Sequence, residues 1–239
     1  MKPYIRKFIG AKEFINDKQR YVLWLGENEY SCIKDNPFIK ERMDIVVAER
    51  SKEKAKESTK KAASTPYKFG EIRHRDTEGI IIPRVSSENR YYVPMGIVGP
   101  DIIISDSAMA IYDAPIYLLG LLESRIHMTW MRAIGGKLKT DYRYSAGLVY
   151  NTFPVPKISE QAKAEIEDCV FEMLDYREMS GKTLAELYDA KKMPEELLEI
   201  HQRLDLLVDK LYQTKAFTDD QERLSLLLNM YKDKVESNE

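Results

Sequence analysis

Two cysteines in 239 residues, Cys32 and Cys169, stand far apart and without metal-ligand spacing, so neither a disulfide framework nor a zinc cage is expected. Both read as small apolar filler. Histidine is almost as rare: His74, His127 and His201 are the only three, none within four residues of another, which argues against a catalytic metal site. No apolar run reaches the roughly 18 residues of a membrane span, because Glu123, Ser124, Arg125 and His127 interrupt the best candidate. The opening MKPYIRKFIGAKEF has too short an apolar region for a secretory leader, and the expected address is the cytoplasm. Glycine is sparse, at 11 residues, and nowhere forms the rich loop that holds a phosphate at a helix N-terminus.

What is present is ordinary in bulk and uneven in detail. Hydrophobic content of 44% suits a globular chain long enough for one large domain or two modest ones. The net charge of −2 conceals an asymmetry: residues 1–156 carry 25 Lys and Arg against 19 Asp and Glu, or +6, and residues 157–239 carry 12 against 20, or −8. Only the first part is suited to meet a polyanion. Two domains are expected with the same boundary, 1–156 and 157–239.

The stretch from Ala114 to Pro156 organises the first part. Ile116, Leu119, Leu122, Ile126 and Trp130 recur at helical steps, widened by Tyr117, Leu118, Leu121 and Met128, and predict one long core helix. Gly135-Gly136 can take the left-handed conformation that ends it, with Arg132 in the last turn. The chain then turns basic and aromatic, and Lys137, Lys139, Tyr142, Arg143 and Tyr144 offer alternating charge and ring, suited to a phosphate backbone. A solvated turn with half-buried tyrosines is the plain alternative.

Upstream, RYVLWL (Arg20–Leu25) reads as a buried strand after a turn at Asn16-Asp17, with Trp24 a core anchor. A helix capped by Asp35 or Asn36 is expected from about Phe38 to Lys61, its Lys-rich second half a solvated arm. Ile80–Val85, Tyr91–Val98 and Asp101–Ser105 read as short strands, with Pro83 and Pro94 arguing for edges or bulges. The expected class is α+β: a small antiparallel sheet packed on the long apolar helix, followed by an all-helical C-terminal bundle. The bundle's signals are Ser159 and Gly181 around a first helix, Thr183 with Glu186, Pro194, and Thr218 with Gln221.

Between two of the strands lies Ser86-Ser87-Glu88-Asn89-Arg90. Arg can bridge both acceptors of a guanine edge, Glu can accept from cytosine, and Asn can pair with adenine. On an extended segment Glu88 and Arg90 point the same way, so both can address one base pair. Ser87, Glu88, Asn89 and Arg90 are the expected base readers; Arg84, Arg132, Lys137, Lys139, Arg143 and Tyr144 are the expected backbone contacts. The plain alternative is a polar hairpin turn with a surface ion pair. His201 and Asp205, one turn apart, invite a catalytic reading, but no nucleophile or metal set accompanies them and a structural hydrogen bond is preferred.

The run IPRVSSENRYYVPMGIVGPDIIISDSAMAIYDAPIYLLGLLESRIHMTWMRAIGGKLKTDYRYSAGLVYNTFPVP (Ile82–Pro156) closely resembles the target-recognition region of MmeI-like restriction-modification enzymes. The likeness extends through Phe8–Leu25, Thr65–Arg75 and Thr183–Tyr212, which looks like the family's C-terminal helical segment. It implies that this chain binds double-stranded DNA and serves methyltransferase and nuclease parts upstream in one polypeptide. It also implies that residues at the place of Glu88 and Arg90 determine which base is accepted. The adenine methyltransferase's Asn-Pro-Pro-aromatic motif is missing, Asn151-Thr-Phe-Pro lacking the second proline after a strand-like Gly147–Tyr150. S-adenosylmethionine is therefore expected in the methyltransferase part, and no cofactor, metal, membrane or catalytic residue in this chain. The residues alone leave open a protein-interaction module built on the helices, or a small enzyme using His201 and Asp205.

Overall fold

The apolar rod expected after Ala114 is two helices, and the break lies at Glu123-Ser124. The computed structural model describes residues 4–237. In chain order, β1 (Ile5–Ile9), α1 (Ala11–Ile15), β2 (Tyr21–Leu23), α2 (Glu27–Ile33), α3 (Pro37–Arg50) and α4 (Glu57–Lys61) come first. Next are β3 (Gly79–Pro83), β4 (Val85–Ser86), β5 (Gly96–Val98), β6 (Ile102–Ile104) and β7 (Ala108–Tyr112). The two helices, α5 (Ile116–Leu122) and α6 (Arg125–Ile134), lead into a hairpin, β8 (Gly136–Leu138) and β9 (Asp141–Arg143). The chain closes in α7 (Glu160–Met179), α8 (Leu184–Leu187), α9 (Glu195–Tyr212) and α10 (Asp220–Glu236). The strands form three sheets of three, ordered β2-β1-β6, β5-β3-β7 and β4-β9-β8. The α+β class stands, with three small sheets in place of one.

Packing divides the chain into two units. One gathers the described residues up to Phe8 with Arg20–Asp76 and Asp101–Ile103; the other gathers Ile9–Gln19, Thr77–Pro100 and the described residues from Ile104 onward. In the first unit, the Asn36 side chain caps α3 by accepting from Phe38 N at 3.0 Å. The helix stops at Arg50, whose guanidinium reaches the carbonyls of Ala62, Thr65 and Lys68 at 2.7, 3.1 and 2.8 Å. The Lys-rich arm is therefore not one helix to Lys61. Ser51–Lys56 has nothing to bury but Ala55, and propensity alone does not extend a helix past its packed half. β2 is only partly buried, with Tyr21 exposed, while Trp24 meets Phe69 and His74 at ring distances of 5.3 and 5.6 Å.

In the second unit β3 is central and all five of its residues are buried, as a near-continuous apolar run requires. Pro83 does not make it an edge: it occupies the last position, opposite Ala108, where a missing N–H costs least. β7 carries a strand signal only in Ile111-Tyr112; Ala-Met-Ala leans helical, and five paired residues along β3 make the whole a strand. α5 packs on α7 and α9 through Gly120, where an added Cβ would lie 2.5 Å from Ile166 Cγ2 and 2.9 Å from Val170 Cγ2. The break before α6 has a long-range cause. Glu123 is wholly buried and pairs with Arg177 of α7 at 2.8 and 2.9 Å, and Ser124 caps α6 by accepting from His127 N.

The C-terminal helices follow local signals. Ser159 caps α7, Gly181 takes φ +62 after it, and Thr183 with Glu186 forms the capping box of α8. The last helix is capped one residue later than expected: Asp219 accepts from Glu222 N, and the Glu222 carboxylate takes the Thr218 amide and hydroxyl. Gly147–Tyr150 is no strand but part of a wide helical turn, with Asn151 N donating to Ala146 O at 2.8 Å. His201 and Asp205 do not bond each other; His201 meets the Tyr188 hydroxyl and Asp205 accepts from Tyr92 and the Arg125 amide.

Candidate nucleic-acid interface

The sheet β4-β9-β8 joins two segments far apart in sequence. Val85 pairs with Arg143 and Ser86 with Tyr142, while Gly136, Lys137 and Leu138 pair with Arg143, Tyr142 and Asp141. The basic hairpin and the strand leading into Ser87–Arg90 are thereby neighbours. The hairpin reverses over Lys139-Thr140, and Lys139 takes φ +58, the positive value that a tight two-residue loop demands. Gly135 is not left-handed: it is extended, at φ −65 and ψ 148, and a Cβ there would lie 2.4 Å from Met131 O. Glycine is needed for close approach, and Gly136 begins β8.

Ser87–Arg90 is a turn and not the extended segment expected. Arg90 N donates to Ser87 O at 3.2 Å, and Asn89 N to Ser87 Oγ at 3.3 Å. Glu88 and Asn89 are exposed at its apex. Arg90 is half-buried and folds back, Nη1 donating to the buried Ser86 hydroxyl at 3.3 Å. Burial holds its pKa below the usual value, with Asp141 and Asp189 pulling the other way. Among the described residues it forms no ion pair with Glu88.

Lys137, Lys139 and Arg143 are all exposed. The register puts Lys137 and Arg143 on opposite faces of the hairpin, so they cannot grip one phosphate together. Lys137 lies 5.5 Å from the centre of the Tyr142 ring on its own face. Arg84 is half-buried and precedes β4; its amide donates to Ser107 O at 3.1 Å and its carbonyl accepts from Tyr144 N at 2.8 Å.

One expected backbone contact is corrected, and another is already engaged within the chain. Tyr144 is 2% exposed, its hydroxyl 2.9 Å from His127 Nε2, so it belongs to the core and cannot reach a phosphate. Arg132 turns its guanidinium to the carbonyls of Tyr91 and Arg90, at 2.6 and 3.3 Å, and braces the segment after the turn. Residues not anticipated in the site are Ser86, which accepts from Arg90, and Asp141 and Asp189, whose charges act on it. Strand register would have found the first two; nothing local marks Asp189. Among the described residues, no group of three or more His, Cys, Asp or Glu could hold a metal ion, and no helix is long and apolar enough to cross a membrane.

Two family descriptions match in succession: MmeI, target recognition domain, over residues 1–157, and MmeI, C-terminal domain, over residues 158–237. The DNA methyltransferase A of Bacillus subtilis (strain 168) is 52% identical over 234 residues, covering 98% of this chain and 26% of that protein. The solved structure of the type IIL restriction-modification enzyme MmeI in complex with DNA matches with a TM-score of 0.93 at 39% identity, over 98% of this chain and 31% of that one. This chain thus spans less than a third of the length of either relative. In sequence along its whole described length, and in fold, the chain belongs to the MmeI family, as a target recognition domain followed by a C-terminal domain.

Proposed function

We propose that the chain binds one short duplex DNA sequence in the cytoplasm and holds it for base flipping by an adenine methyltransferase elsewhere in the same polypeptide. The observation that carries this reading is the sheet β4-β9-β8, which sets an exposed polar turn beside an exposed basic hairpin in a family with a DNA-bound member. Glu88, Asn89 and Arg90 specify bases, with Ser87 shaping the turn through its bond to the Asn89 amide. Lys137, Lys139, Arg143 and Arg84 position the backbone and carry no sequence information. S-adenosylmethionine and the nuclease chemistry belong to the remainder of the polypeptide; this chain's part is to bind and orient.

The division of labour is open to test with single variants. Arg90→Ala relaxes the preference at one base pair by about 1–3 kcal/mol and leaves binding to random duplex nearly unchanged. Lys139→Ala weakens every sequence alike and lowers the salt slope by about 1. Equal losses on the preferred and on random duplexes for both variants would refute the assignment.

A further inference from the structure

Tyr91–Met95 has the composition of a strand and joins no ladder. Buried backbone groups must still be paired, and here side chains of the helices do the pairing. Arg132 takes the carbonyls of Arg90 and Tyr91, Val93 N donates to Met128 Sδ at 3.4 Å, and Met95 N donates to Glu123 Oε1 at 2.7 Å. Arg177 donates to Met95 O at 2.7 Å while paired with Glu123. The side chain two residues beyond Arg90 is held as firmly. Tyr92 donates its hydroxyl to Asp205 Oδ2 at 2.6 Å and stacks on His201 with ring centres 4.1 Å apart. Asp205 Oδ1 in turn accepts from the Arg125 amide at 2.6 Å, at the start of α6. His201 Nε2 lies 2.7 Å from the Tyr188 hydroxyl, which also contacts Arg177 and so closes the network.

Glu123, Arg177, His201 and Asp205 are all buried, and a buried ionic network is costly compared with an apolar core of equal volume. Holding helices together does not require it. What these groups share is a grip on the backbone and side chain of the segment leaving the turn. We propose that Asp205 and Tyr92 are positioning residues for base choice: α9 fixes the exit of the turn, and through it the angle of Arg90, without touching DNA. This rests on the reading of Arg90 as a base contact. A reading side chain must be held closely in place to discriminate, because a bidentate contact tolerates little misplacement.

The test uses the full 239-residue chain. A preferred duplex is selected from a randomised library, and binding is measured to it, to each single-base variant and to random duplex. Tyr92→Phe removes only the hydroxyl and keeps the ring on His201; Asp205→Asn keeps an acceptor for the Arg125 amide and offers its NH2 to the Tyr92 hydroxyl. We expect Tyr92→Phe to lower the preference about tenfold at the base pair that Arg90→Ala relaxes, with other positions, random-duplex affinity and salt slope unchanged. Asp205→Asn should give a smaller loss at the same base pair. Full preference in both variants, or equal loss on preferred and random duplexes, would overturn the proposal. A null effect of Arg90→Ala on every base pair would remove the reading beneath it, and the proposal with it.

Discussion

His127 lies in the first turn of α6, fully buried, its Nε2 2.9 Å from the Tyr144 hydroxyl and its ring edge-on to Phe153 at 4.4 Å. Burial drives its pKa down from 6.5 to about 3, and His201 is lowered in the same way. A depressed folded pKa means that protonation favours the unfolded chain: stability is fully present above pH 6.5 and is lost as pH falls toward 3, by up to about 5 kcal/mol for His127. Asp205 has the opposite sign. Burial raises its carboxyl from 3.8 to about 6, so the folded state binds the extra proton and stability declines as pH rises through that window. His127→Gln, which can keep a bond to Tyr144, should show a shallower loss of stability from pH 6.5 to 4 in urea unfolding. The same slope as the parent chain would contradict this account of His127. Tyr144 itself shows where single residues mislead: an aromatic in a basic run has the composition of a nucleic-acid contact, and only its burial beside His127 marks it as core.

At the scale of elements, the crossing of α5 with α7 and α9 is set by Gly120. A methyl there would meet Ile166 Cγ2 at 2.5 Å, Val170 Cγ2 at 2.9 Å and Leu204 Cδ1 at 3.2 Å, and the first two side chains are branched and stiff. Gly120→Ala should therefore lower stability by about 1–3 kcal/mol through overpacking, in spite of a helix-propensity gain of about 1 kcal/mol. A stability equal to or above that of the parent, from urea midpoints, would contradict the packing described. The caps of α7 and α8 were legible because Ser159, Gly181, Thr183 and Glu186 act within a few residues of themselves. The break at Glu123-Ser124 was not, since apolar periodicity runs straight through it and the reason for stopping is Arg177 on another helix. Tyr91–Met95 misled for the same reason. Its strand composition is intact, but Glu123, Met128, Arg132 and Arg177 take the backbone groups a ladder would have used.

For the molecule as a whole, charge and topology agree. The basic excess falls in residues 1–156 and the acidic excess in residues 157–239, and the exposed cations of the hairpin lie in the basic part. The residue types of the candidate site were readable from the chain, but their meeting was not, because the pairing of Val85 and Ser86 with Arg143 and Tyr142 is a long-range event. The central claim is that the turn chooses bases while the hairpin holds phosphates. Its most direct test is binding of the full chain to its selected duplex and to every single-base variant, at several salt concentrations. The variants to compare are Glu88→Ala/Arg90→Ala and Lys137→Ala/Lys139→Ala/Arg143→Ala. The account predicts that the first loses preference at one or two base pairs with its salt slope intact, and that the second keeps its preferences while the slope falls by about 2–3. Loss of base preference in the hairpin variant, with none in the turn variant, would contradict it.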